Sequence, residues 1–261
     1  MTAQELLEHY DRATYWTEDF GLELPAAYES ALMVRQLRIA RGEQPRGYKI
    51  GFTNSSIWSR NNVFGPTWGT VWDTTLSFCE GQGEVSLAKT LQPRMEPAAV
   101  VCFSRTPSPN ATLDQLLACL EWVAPGVEII QSHQPGWKFV AADTVADAGL
   151  HARLLVGTRL PVAGVGQDAA SFEQRLSACR VTLHLRSQQV DEGVGANALD
   201  GPLHTLQHFL QVMREVPGAP EVQPGDVVTT GTWTDAWPVA AEEPWTAQFE
   251  APFSRMEIVF I

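Results

Sequence analysis

Positive charge is scarce in this sequence: 18 lysines and arginines stand against 30 aspartates and glutamates, for a formal net charge of −12. A surface of that sign does not attract nucleic acid or anionic lipid, so neither is an expected partner. The acidic residues are dispersed, so the charge speaks to solubility rather than to an interaction tail. Cysteine is scarce too. Cys79, Cys102, Cys119 and Cys179 include no CxxC and no close pair, which fits buried free thiols in a cytoplasmic protein. No stretch is apolar for long enough to span a bilayer, and "MTAQELLEHYDRATY" lacks the positive start and apolar core of a signal peptide. G-x-G-x-x-G, Walker and G-x-S-x-G patterns are absent, as are repeats and low-complexity segments. The standard nucleotide-binding and serine-hydrolase readings go with them.

What is present is a chain of 261 residues, 44% hydrophobic, enough to bury a substantial core in one large domain or a domain with a smaller partner. The front reads helical. Thr2 and Glu5 form a capping-box pattern before Leu6, Leu7 and Tyr10, and a second helix follows Pro25 and stops near Gly42 and Pro45. "GYKIGFTNSS" reads as a short strand interrupted by Lys49, and "FGPTWGTVW" as loop or turn. From about residue 85 the chain turns to Val- and Ile-rich strands: "AAVVCFS", "GVEIIQS", "RVTLHLRS", "GDVVTTGT" and "RMEIVFI". Two helices interrupt them, "TLDQLLACLEWV" behind a Thr112–Gln115 capping box and "DGPLHTLQHFLQVMREV" with Asp200 as its N-cap. The expectation is an α+β fold, with a mainly helical region over 1–80 and a strand-dominated domain over 81–261.

Two acids stand out. Glu96 in "PRMEPAAVV" and Glu128 in "APGVEIIQS" each sit beside an apolar strand run. An ionised carboxylate there is costly unless it is paired or bound to a cation. Two of them facing one way suit a hard divalent ion; alternatively each marks a solvent-facing edge or pairs with an arginine such as Arg94. Lys49 precedes Gly51, where a ligand can approach the backbone, and its ammonium can hold a carboxylate or polarise an oxo group; a lysine snorkelling from a strand reads the same. His133 and His151 lie near the expected carboxylate site and suit acid–base work. Asp143 and Asp147, four apart, suit a base or a second carboxylate behind a ligand, with a helix N-cap as the competing role for Asp143. Thr230 and Thr232 end a strand where an anionic substrate can be met, although threonine is also a good strand former. His204 and His208 have metal-ligand spacing, but no third ligand follows and helix-surface histidines read better; His184 alternates outward.

In this order, "GYKIGFT", "PRMEPAAVVCF", "GVEIIQS", "DTVADAG", "LDGPLHTLQHFL" and "PGDVVTTGT" resemble the 2-keto-4-pentenoate hydratase and 4-oxalocrotonate decarboxylase family, within the fumarylacetoacetate hydrolase superfamily. The resemblance covers about residue 45 to the carboxyl end. It implies a mixed β-roll core behind the helical front, a Mg2+ or Mn2+ ion, a small-molecule 2-oxo acid substrate from aromatic catabolism, and a homo-oligomer. Glu96 matches one of the family's metal-holding glutamates and Glu128 a later one, and Lys49 matches the lysine near substrate. The metal of such an enzyme stabilises the enolate from which hydration or loss of CO2 follows.

The departures gather at the site. Ala98 stands where the second glutamate of the Glu-x-Glu pair belongs, Gln131 where an aspartate does, and Ala148 and Leu150 where an asparagine and a serine do; Phe64 replaces an acid. Trp58, Trp68, Trp72, Trp137, Trp233 and Trp237 lie in or near the same segments and imply a larger, more apolar pocket. Three readings follow: a lyase of this family on an altered 2-oxo acid, a metal-independent enzyme on the same scaffold taking a bulkier substrate, or a non-catalytic partner subunit.

Overall fold

A computed structural model describes residues 1–16, 21–54 and 65–261. Two helices open the chain, α1 (Ala3–Arg12) and α2 (Leu24–Ala40). Thr2 starts α1 as expected: its hydroxyl accepts from the Glu5 amide while the Glu5 carboxylate accepts from the Thr2 amide at 2.7 Å. Leu6 and Leu7 are buried, and α1 packs on α2.

Among the described residues, fourteen strands follow in chain order: β1 (Pro45–Gly51), β2 (Thr67–Trp72), β3 (Leu76–Phe78), β4 (Gln82–Val85), β5 (Arg94–Phe103), β6 (Leu120–Ile130) and β7 (His151–Val156). Then come β8 (Leu160–Pro161), β9 (Arg180–Leu185), β10 (Gln188–Val194), β11 (Val227–Thr229), β12 (Trp237–Pro238), β13 (Pro244–Phe249) and β14 (Met256–Phe260). A nine-stranded sheet runs β2-β1-β11-β5-β6-β7-β3, with β12 on β5 and β8 on β6, and a five-stranded sheet runs β10-β9-β13-β14-β4. Pairing is mixed: β1–β11, β3–β7 and β4–β14 are parallel, the rest antiparallel. The fold is α+β, as expected. Strands from both sides of residue 80 build the larger sheet, so a boundary there would cut through it.

The segment "FGPTWGTVW", read as loop or turn, instead contributes β2, buried along its whole length. Gly69 misled the reading. A Cβ on it would come within 2.0 Å of the Ala148 carbonyl oxygen, so this glycine marks a close backbone approach and not a turn. The first interrupting helix is shorter than expected. Its Thr112–Gln115 capping box forms, but the helix ends at Leu117 and Leu120 already begins β6. The second spans Pro202–Glu215, and its N-cap is Gly201 rather than Asp200. Glu173, from the helix Ala169–Ser177, covers its first amides, accepting from Leu203 at 2.9 Å and His204 at 3.1 Å. His204 Nδ1 lies 2.7 Å from the same carboxylate and His208 is exposed, which confirms these two as helix-surface histidines.

Candidate active site

Register builds the site. On the longest antiparallel pair, Glu96 of β5 lies directly opposite Glu128 of β6, so both carboxylates leave the same face of the sheet. Lys49 on β1 joins that face through β11, where it pairs with Thr229, which in turn pairs with Val100 of β5. Beneath them the same face is apolar, formed by Val71, Val100, Ala124, Leu154, Val156 and Val227. Opposed like charges destabilise a sheet unless something answers them. The answer is Lys49: its Nζ lies 3.5 Å from Glu128 Oε1, with the lysine only 4% and the glutamate 1% exposed. Gly149 leaves room for it, since a Cβ there would sit 3.0 Å from Lys49 Cδ.

His151 completes the cluster. Its Nδ1 is 3.1 Å from Glu128 Oε1 and its Nε2 is 2.8 Å from Thr75 Oγ1. Burial holds its pKa below the usual value, against the pull of Glu128. A carboxylate only accepts, so the neutral ring carries its proton on Nδ1 and Nε2 accepts from the threonine hydroxyl. Burial, opposed by Lys49 and reinforced by the charge of Glu128, pushes Glu96 up to about 7.

Lys49 and Glu96 face a cavity of about 370 Å³, while Glu128 and His151 lie behind them and do not line it. Lys49, Glu96 and Arg94 supply its charge, Thr53, Thr67, Thr144 and Thr232 its hydroxyls, and Phe52, Ile130, Trp137, Phe139 and Leu150 its apolar wall. The Arg94 guanidinium lies 4.5 Å over the Trp137 ring, which holds it flat against the wall. Backbone strain gathers here as well. Phe52 and Leu150 sit in the left-handed region at φ 54° and 65°, costly for bulky side chains and a common mark of ligand sites.

The expected site residues divide. Lys49, Glu96, Glu128, His151 and Thr232 come together, although the Thr232 hydroxyl also donates to the Thr234 carbonyl at 2.9 Å. Thr230 is buried and donates to the Ala99 carbonyl at 3.0 Å, away from any substrate. Asp143 accepts from the Val140 amide at 3.0 Å as the third residue of its helix, so it stabilises that helix from inside rather than as the N-cap. His133 and Asp147 pair with each other under α1, at 2.6 Å, and neither lines the cavity. Gln131 accepts from the Leu91 amide and anchors the segment leading into β5. Of the tryptophans, Trp137 alone among the described residues lines the cavity. Trp68, Trp72 and Trp233 are core, and Trp237 donates to Asp191. Trp58 and Phe64 lie outside the described residues. Phe52, Thr67, Phe139 and Thr144 were not singled out from sequence, and Arg94 was weighed only as an ion partner. The alternation of "WKFV" beside Trp137 was the one available signal.

A divalent ion needs oxygen ligands and negative charge enough to balance it. Here two carboxylates already answer two cations, Lys49 and Arg94, both of which act on Glu96. Oε1 of Glu128 is engaged by Lys49 and His151, and Ala98 offers only a methyl group. Among the described residues no three His, Cys, Asp or Glu side chains gather into a metal cluster. A dication about 4 Å from the ammonium would meet a repulsion of about 8 kcal/mol at an effective dielectric of about 20. The described residues therefore do not fit the Mg2+ or Mn2+ expected on Glu96 and Glu128.

No family model matches the chain. It is 32% identical over 221 residues to a 4-oxalocrotonate decarboxylase of Pseudomonas sp., covering 84% of this chain and 80% of that one. It is 29% identical over 213 residues to a 2-keto-4-pentenoate hydratase of Burkholderia vietnamiensis, covering 81% and 76%. The fold is shared with a solved 4-oxalocrotonate decarboxylase from Pseudomonas putida G7, complexed with magnesium and adipate, at a TM-score of 0.86 and 24% identity over 99% of this chain and 97% of that one.

Proposed function

The chain belongs to the family of 2-keto-4-pentenoate hydratases and 4-oxalocrotonate decarboxylases, and from that membership we propose a lyase that hydrates or decarboxylates a 2-oxo acid. One observation carries the reading: Glu96, Glu128 and the Lys49 ammonium meet on one sheet face, with Lys49 3.5 Å from Glu128 and with Lys49 and Glu96 lining a cavity. Both reactions pass through an enolate or dienol, so they need a cation at the oxo oxygen and a group to carry a proton at carbon. Lys49 supplies the cation. Glu96, held at about 7 and facing the cavity, takes up or gives the proton near neutral pH. Oε1 of Glu128 pairs with the Lys49 ammonium and accepts a hydrogen bond from His151 Nδ1–H, so His151, held in turn by Thr75, fixes the carboxylate's position. Proton transfer falls to Glu96 because His133, His151, Asp143 and Asp147 do not line the cavity.

Arg94 on its Trp137 support is placed to take a substrate carboxylate, and the apolar wall of Phe52, Phe139 and Leu150 fits a substrate with a longer hydrocarbon part than a short diacid. A homo-oligomer belongs to the same proposal, and sedimentation measures it. The direct test is ultraviolet absorbance decay of 2-hydroxypent-2,4-dienoate, 4-oxalocrotonate and alkyl- or aryl-extended 2-oxo acids, with CO2 release separating decarboxylation from hydration. Turnover of any of them supports the reading. Absence of turnover across the set, with the protein folded, favours the non-catalytic subunit.

A further inference from the structure

We infer that the Lys49 ammonium is itself the cation that holds and polarises the substrate's oxo group, so that this site works without a resident divalent ion. The inference rests on the lyase reading above.

Its ground is the sheet face between Lys49 and the two glutamates. Ala98 follows Glu96 by two residues on β5 and so faces the same way; it is 1% exposed and pairs with Gly126, two residues from Glu128. A carboxylate at position 98 would stand diagonal to Glu128 and close a three-acid cage. In its place are a methyl group, a glycine and, on the neighbouring strand, Thr229, whose Oγ1 is buried with no hydrogen-bond partner among the described residues. That part of the face offers only neutral groups. Glu96 and Glu128 against Lys49 and Arg94 sum to zero before substrate enters. A dication would sit beside an ammonium and a guanidinium, and the two carboxylates that could answer it already face those cations.

The chemical step needs no bond to lysine. The C3–H bond of the 2-oxo acid breaks, its electron pair forms the C2–C3 double bond, the carbonyl pair moves onto oxygen beside Lys49, and the proton goes to the Glu96 carboxylate.

The test uses the intact protein purified without chelator, pyruvate as probe, and two variants. Metal analysis of the wild type should find divalent ions far below one per chain. Pyruvate should raise its melting temperature equally with and without EDTA, and Lys49→Met should abolish that shift. Ala98→Glu should gain Mn2+ binding at least about tenfold tighter than wild type, read by electron paramagnetic resonance and by a Mn2+-dependent rise in melting temperature. Stoichiometric metal in the wild type, a pyruvate shift that vanishes in EDTA, or a borohydride-trapped pyruvate adduct on Lys49 overturns the inference while leaving the lyase reading intact. A folded Ala98→Glu protein that gains no Mn2+ affinity also overturns it. If neither pyruvate nor longer 2-oxo acids bind under any cation, the lyase reading fails and the inference with it. The wild-type measurements decide the matter even if a variant fails to fold.

Discussion

His133 and His151 each set an imidazole Nδ1 against a buried carboxylate, Asp147 at 2.6 Å and Glu128 at 3.1 Å. Their surroundings differ. His133 lies between Tyr10 and Trp16, with ring centroids at 4.5 and 5.8 Å, and its carboxylate also accepts from the His133 amide. Its Nε2 is buried with no hydrogen-bond partner among the described residues, and the Trp16 amide donates to the His133 carbonyl. The Tyr10 and Trp16 contacts of that pair tie the front of the chain to the core. The second pair has an ammonium on the same carboxylate oxygen, a threonine on the far ring nitrogen and a cavity beyond the lysine. Burial and a short histidine–carboxylate contact are thus common to both. What separates them is a third charge and access to a ligand, and those are what make chemistry possible.

The sharpest way to break the comparison is to remove the third charge. Lys49→Met should lower kcat/KM for a 2-oxo acid by about 10²–10³-fold, the scale of losing one preorganised stabiliser of a developing oxyanion; a tenfold loss or less would leave Lys49 a structural residue. The converse change falls on the other pair. Asp147→Asn should cost about 1–3 kcal/mol of stability, since the buried groups around it lose a charge-assisted acceptor, yet leave kcat/KM within about threefold below the melting transition. Thermal unfolding and steady-state kinetics on one sample check both halves.

A third change sharpens the contrast through pH. Folding raises the Glu96 carboxyl from 4.5 to about 7, so between those values the folded chain binds more protons than the unfolded one. Stability from this group is therefore full below pH 4.5 and declines as pH rises through 7. Glu96→Gln should flatten that decline and remove an inflection near 7 from the kcat/KM profile; an unchanged profile would take Glu96 out of the proton path. The smallest effect is expected at the cavity wall. Trp137→Ala frees the Arg94 guanidinium and should raise KM by about five- to tenfold, an exposed-to-buried cation–π scale of about 1 kcal/mol, with kcat little changed.

Much of this contrast was legible in the sequence, and the missing parts share a cause. Glu96 and Glu128 announced themselves because each interrupts an apolar strand run, and a two-residue period places them on a face without coordinates. Lys49 stood out for the same reason. Local rules also found α1, α2 and the capping boxes, where signal and consequence lie within four residues. His133 and His151 were indistinguishable, because each follows an apolar stretch and their difference is tertiary. One lies under α1, and the other is turned to Glu128 at a register shift between β6 and β7. Gly69 of "FGPTWGTVW" carried the wrong message because the backbone it accommodates comes from residues 148 and 149. Glu173 as the cap of a helix about thirty residues away and Thr75 as the partner of His151 were out of reach on the same grounds.

The most direct test sets the two pairs side by side: kcat/KM and melting temperature for Glu128→Gln and Asp147→Asn, on the best 2-oxo acid found. The account predicts that the Glu128 variant loses about 10²-fold or more in kcat/KM while remaining folded at the assay temperature, and that the Asp147 variant shows the reverse pattern. Near-normal turnover in the Glu128 variant, or an Asp147 variant that is folded and inactive, would contradict it.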